Sequence, residues 1–296
     1  MIETESEEIA RRLFVQSEEN YRQAINMYPR DEYSYQGLAE LHFKWSQKCI
    51  SDTEQADYLA KAEEIITTGL SNVHNREGLW IISAEIQKWL GNTPSHINAL
   101  EKAVQVSPNS IFPRYILGRA YRKMQQPLKA LEVLRPVIQQ HFEEYRCFVE
   151  YSVALIHANH TYREAISILE QSKTFGLRDP RFIATLGGMY FMNSDFDAAE
   201  KVFQEANRHN FTSQEKNTIQ FQPPNTNDLS KPLRLKGQVV NVLSSYCFVE
   251  SRDYARFFCP GTKYNGIMMK QGLEITFEPA FTAKGSVAND PATLEE

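Results

Sequence analysis

The 296-residue sequence has no apolar run near the roughly 18 residues of a membrane span. It has four cysteines, Cys49, Cys147, Cys247 and Cys259, far apart and without a CxxC pair. That usage fits a reduced, cytoplasmic setting and excludes a disulfide-stapled scaffold. A GxxxxGK[ST] phosphate loop and a GxSxG nucleophile elbow are both missing. His157 and His160 stand three apart with no third ligand nearby, so a solvated turn is the better reading than zinc. The acidic start, Met1-Ile2-Glu3-Thr4-Glu5, reads as neither secretory signal nor transit peptide. Nothing in the spacing of Asp, Glu, His and Ser suggests catalysis, so neither an enzyme nor a cofactor is expected.

What the chain does have is apolar content, 42%, with 11% aromatics, enough for packed cores in more than one domain. Its net charge of -5 is unevenly spread. Residues 231–290 carry eight Lys/Arg against five Asp/Glu, whereas residues 1–230 carry 24 against 30. A mildly basic tail on an acidic body points weakly to an anionic ligand for the tail.

Up to residue 211 the apolar residues recur with a helical period. The clearest stretch runs from Ile111 to Val137, where Leu117, Gly118 and Tyr121 precede a break at Gln125-Gln126-Pro127, followed by Ala130 and Leu134. This reads as two helices joined by a tight turn, with small residues allowing close approach. Such a hairpin cannot bury its apolar face alone and predicts neighbours of its kind. They are present: Ala84, Gly118, Val153 and Gly187 occupy equivalent positions at spacings of 34, 35 and 34 residues.

The phased residues Trp80, Pro108, Leu117-Gly118, Tyr121, Ala130, Leu186-Gly187, Tyr190, Ala199, Phe203 and Ala206 resemble the tetratricopeptide repeat family, over roughly residues 15–211. The resemblance implies a solenoid of helical hairpins whose concave face binds a peptide or partner protein. The first helix of each hairpin would line that face. The expected exposed positions are Ile81, Glu85, Lys88 and Trp89 in one repeat, Tyr115, Arg119, Arg122 and Lys123 in the next, and Ala184, Gly188, Phe191 and Met192 in the last. Tyr115, Arg119, Arg122, Lys123 and Trp89 are the expected partner contacts, fit for a peptide with an acidic residue. Ordinary solvated helix faces are the competing reading.

Residues 212–232 have the Pro, Asn and polar content of a linker. Beyond them the period changes to two. Short strands are expected at 235–242, 246–249, 256–259, 273–278 and 285–288, enough for a small closed barrel such as the OB-fold over 233–290, with 291–296 as a tail. Gly237-Gln238-Val239, Tyr246-Cys247-Phe248-Val249, Phe257-Phe258-Cys259 and the run Lys270 to Glu278 resemble the cold-shock domain family. That resemblance implies binding of RNA or single-stranded DNA by stacking on Tyr246, Phe248 and Phe257. On a strand, Cys247 and Val249 facing the core would turn Tyr246 and Phe248 outward, and Phe257 is expected to share their face. Lys236, Arg252 and Arg256 would meet phosphates, with stacking contributing about 1–3 kcal/mol per base. Asn241 stands where the family has an aromatic, and Cys259 where it has a histidine. A module docking on protein is therefore the competing reading of the barrel, and the chain reads as an adaptor, a scaffold, or a regulatory subunit of a separate nuclease or NTPase.

Overall fold

A computed structural model describes residues 5–74, 76–264 and 266–294. The chain is mainly α-helical, a series of tetratricopeptide-like hairpins followed by a closed five-stranded barrel. It divides into two compact units, one ending at Leu117 and the other beginning at Gly118.

The first unit holds α1 (Glu5–Met27), α2 (Glu32–Ser46), α3 (Asp52–Asn72), α4 (Glu77–Trp89), α5 (Thr93–Val106) and the start of α6 (Ile111–Lys123). Asp31 caps α2 by accepting from the Ser34 amide at 2.9 Å. The α2–α3–α4 core is built from Tyr35, Leu38, Phe43, Ile66, Leu79 and Ile86. Gly69 lets α3 lie against Tyr35 and Leu79, because a Cβ there would stand 2.8 Å from a Leu79 methyl.

The second unit continues through α7 (Pro127–Gln140), α8 (Tyr145–His157), α9 (Tyr162–Glu170), the short α10 (Lys173–Gly176), α11 (Pro180–Met192) and α12 (Phe196–Gln204). The period read in the sequence has its physical cause here. Gly118 packs under Leu134 of α7, whose side chain lies 2.5 Å from where a Cβ would be, and Gly187 packs under Phe203 of α12 in the same way. Thr161 and Glu164 form a capping box that starts α9.

Residues 212–232 are more structured than their composition suggests. Thr212 and Glu215 cap a five-residue α13 (Ser213–Asn217) reciprocally. The Phe221 carbonyl then accepts from the Phe281 amide at 2.8 Å, and the Leu229 carbonyl accepts from Gln125 at 2.9 Å. Isolated apolar residues such as Phe221 are what a composition average hides.

The strands are β1 (Leu235–Val242), β2 (Tyr246–Ser251), β3 (Arg256–Pro260), β4 (Glu274–Thr282) and β5 (Gly285–Thr293). They close in the order β1-β2-β3-β5-β4, with β1 pairing back to β4. All pairings are antiparallel except β3–β5, which meet at one parallel pair, Phe258 with Val287. β4 runs past its expected end at 278 and through Pro279, after a shift of the β4–β5 register between Thr276 and Glu278. Likewise β5 runs to Thr293, past the expected end of the barrel at 290.

Candidate interaction sites

Two sets of side chains in the second unit stand out, one on the repeats and one on the barrel.

On the repeats, Glu150 of α8 is fully buried and receives three guanidinium groups from neighbouring first helices. Arg122 binds it at 2.7 Å, Arg119 approaches to 3.6 Å, and Arg181 of α11 donates to the other oxygen. Burial alone would raise the Glu150 pKa; the charges and hydrogen bonds of Arg122 and Arg181 outweigh it and hold the carboxyl below its ordinary value. His157, about two helical turns along α8, is pressed down to about 4 by burial and then by the Arg122 charge, so it stays neutral. Three cations thus face one carboxylate, and Arg119 keeps 45% of its side chain in solvent.

The expected partner contacts therefore separate. Arg119 is open. Arg122, expected on the exposed face, has only 16% of its side chain exposed and is committed to Glu150. Lys123 is exposed at the end of α6. Tyr115, half-buried on α6, and Trp89, packed edge to face on Phe43 at 6.4 Å, belong to the first unit. Sequence reading missed Glu150 and Arg181; an acid in the middle of the apolar run Cys147 to Ile156 was the available signal.

The last repeat departs further from expectation. Ala184, Gly188, Phe191 and Met192, expected to line an open groove, are buried. The barrel and the segment before it cover two of these, Gly188 and Phe191. A Cβ on Gly188 would lie 2.7 Å from both Phe221 and Phe281. Phe191 packs edge to face on Phe257 at 5.2 Å and on Phe281 at 5.4 Å. Phe203 stacks on Phe281 with ring planes 7° apart.

Phe257 also lies elsewhere than expected. Cys247, Val249, Phe257 and Cys259 are all fully buried, so Phe257 points inward and cannot share the outer face of Tyr246 and Phe248. The outward residue on β3 is its neighbour, Phe258, paired across the strands with Phe248. Tyr246, Phe248 and Phe258 form one cluster, with centroids 5.3–5.9 Å apart. The Arg256 guanidinium lies 5.8 Å from the Phe248 centroid. Burial pushes the Cys259 thiol up to about 12, and its cross-strand neighbour Cys247 adds to the shift, which leaves Cys259 unreactive.

Lys236 and Arg252 do not join the aromatic cluster. They line a separate cleft with Arg234, facing Glu250, Asp253 and Glu274. Arg252 comes to 4.0 Å from Glu274, and Arg256 to 3.8 Å from Glu250. Arg234, Arg252 and Arg256 thus each have a carboxylate partner on the barrel's own surface.

No protein-family model matches the chain, and no curated protein matches it in sequence. Solved structures do resemble its helical part. Pseudomonas aeruginosa PilF superposes with a TM-score of 0.50 at 15% identity, covering 68% of this chain and 86% of that one. A tetratricopeptide repeat protein from Parabacteroides merdae gives 0.47 at 16% identity, covering 68% and 75%. YrrB, described as a TPR protein with an unusual peptide-binding site, gives 0.46 at 15% identity, covering 64% and 91%. These likenesses concern the fold. No helix among the described residues is long and apolar enough to cross a membrane, and none of their His, Cys, Asp and Glu gather in threes suited to a metal ion.

Proposed function

We propose that the protein is a non-enzymatic adaptor whose repeats hold an acidic segment of a partner protein, with Arg119 as the leading contact. The observation carrying this reading is the pair Arg119 and Arg122 around the single carboxylate of Glu150 on first-helix faces, with Arg119 half open to solvent. Glu150 orients the arginines, so little side-chain entropy is lost when a carboxylate docks. The barrel serves as a docking module on the last repeat, in keeping with the burial of Phe257 and Phe281 against Phe191.

The test is capture of a nuclease-resistant partner by the full chain, followed by its binding as a purified protein. Arg119→Ala is the informative variant, since it removes the open guanidinium 3.6 Å from Glu150 and leaves the closer Arg122 and Arg181 pairs in place. Loss of binding is expected while the fold is retained, because Arg122 and Arg181 still compensate Glu150. Undiminished binding would remove the basic face from the account.

A second reading keeps RNA or single-stranded DNA on the barrel. It is favoured by one observation, the solvent-facing cluster of Tyr246, Phe248 and Phe258 beside Arg256. A labelled single strand should then bind the full chain and lose affinity with Phe248→Ala and Phe258→Ala, whereas Phe257→Ala would act through stability.

A further inference from the structure

The barrel closes between β3 and β5 through a single pairing, and the outer side of that seam is open. Phe258 stands between two clefts that share Lys284, Gly285 and Ser286. One, of about 530 Å³, runs between α11–α12 and the barrel and is lined by Phe196, Phe203, Phe248 and Arg256. The other, of about 630 Å³, continues past Ile219, Pro260 and Lys263. Together they make an elongated channel that the barrel and the last repeat form jointly.

Its chemistry is specific. Phe258 and Phe196 remain 38% and 37% exposed, large apolar side chains open to the channel. Arg256, Lys263 and Lys284 line it, against the single carboxylate of Glu200. Lys263 and Lys284 make no ion pair among the described residues. The rings do not offer a stack of open faces: Tyr246 and Phe248 meet at 89°, Phe248 and Phe258 at 64°, and Arg256 lies over Phe248. Bases stacking in succession need free faces. A side chain entering between ring edges needs an apolar recess with a polar rim, as here.

We propose that this seam binds an extended acidic peptide from a partner protein, anchored by one aromatic or large aliphatic side chain beside Phe258. Lys284, Lys263 and Arg256 meet its carboxylates. The site is separate from Arg119 and goes beyond the adaptor reading above.

The experiment uses the full-length Arg119→Ala chain, so that the repeat surface does not contribute. Fluorescence anisotropy follows a labelled peptide of alternating Asp and Glu with one central Phe, the same peptide with central Ala, and a labelled oligothymidylate. The Phe peptide should bind better than the Ala peptide. Lys284→Glu should weaken it by at least about tenfold, and Phe258→Ala should reduce it to the level of the Ala peptide. Both residues are exposed, and circular dichroism confirms that the variants fold. The proposal is overturned if the Phe peptide does not bind, or if both substitutions leave it unaffected. It is equally overturned if the oligothymidylate binds more tightly and is the ligand those substitutions release, which assigns the seam to nucleic acid.

Discussion

Replacing Glu150 with glutamine removes one charge from the centre of the second unit while keeping its shape. Removing one member of a buried ion pair costs about 3–5 kcal/mol, because the partner is left uncompensated. Glutamine retains one acceptor, and Arg119 can turn to water, so the lower end, about 3 kcal/mol, applies to this fully buried site. With a urea dependence of about 2 kcal/mol per molar, the midpoint falls by about 1.5 M. The pH dependence supplies an independent check. The Glu150 pKa is held below its ordinary value of 4.5 in the folded chain. Its contribution is therefore fully present above that value and is lost as pH falls through the lower folded-state value. Urea unfolding at pH 7 and at steps below pH 4.5 should show the native protein losing stability in acid by an amount that the glutamine chain does not lose. A midpoint at pH 7 shifted by less than about 0.3 M, or identical acid slopes, would refute the reasoning.

Two further substitutions examine neighbouring features. The pKa of His157 is depressed from 6.5 to about 4 by burial and by Arg122, so it destabilises the fold as pH falls from 6.5 towards 4; His157→Gln should flatten that part of the pH profile in thermal unfolding. Gly188→Val forces a branched side chain against Phe221 and Phe281, and should cost about 1–3 kcal/mol in urea unfolding, with Gly188→Ala milder.

The repeats were legible because their spacing rule is local: a small residue on one helix faces a large one on the next, and the pattern recurs. The barrel was legible from alternation, but its third strand was not, since Phe257 and Phe258 are both aromatic and one step exchanges their faces. Cys259, which pairs directly with buried Cys247, fixes the register once the strands are seen together. The Arg122–Glu150 bond joins residues 28 apart on successive repeats, a contact that helix periodicity within one hairpin does not reveal. The covered face of α11 had left a trace. Ala184, Gly188, Phe191 and Met192 are apolar throughout, which suits a buried surface better than an open groove. The basic balance of the tail counts charges without their partners: Arg234, for one, pairs with Asp290 at 2.9 Å and approaches Glu278 at 3.7 Å.

The barrel covers part of the last repeat, which closes one groove and creates the seam. Hydrogen–deuterium exchange over residues 180–192 measures this directly, comparing the native chain with one carrying Phe221→Ala and Phe281→Ala. The rings of both phenylalanines lie against Gly188, and their loss should leave that segment exchanging markedly faster, while α4 and α5 in the first unit keep their native rates. Equal exchange over residues 180–192 in the two chains would contradict the account.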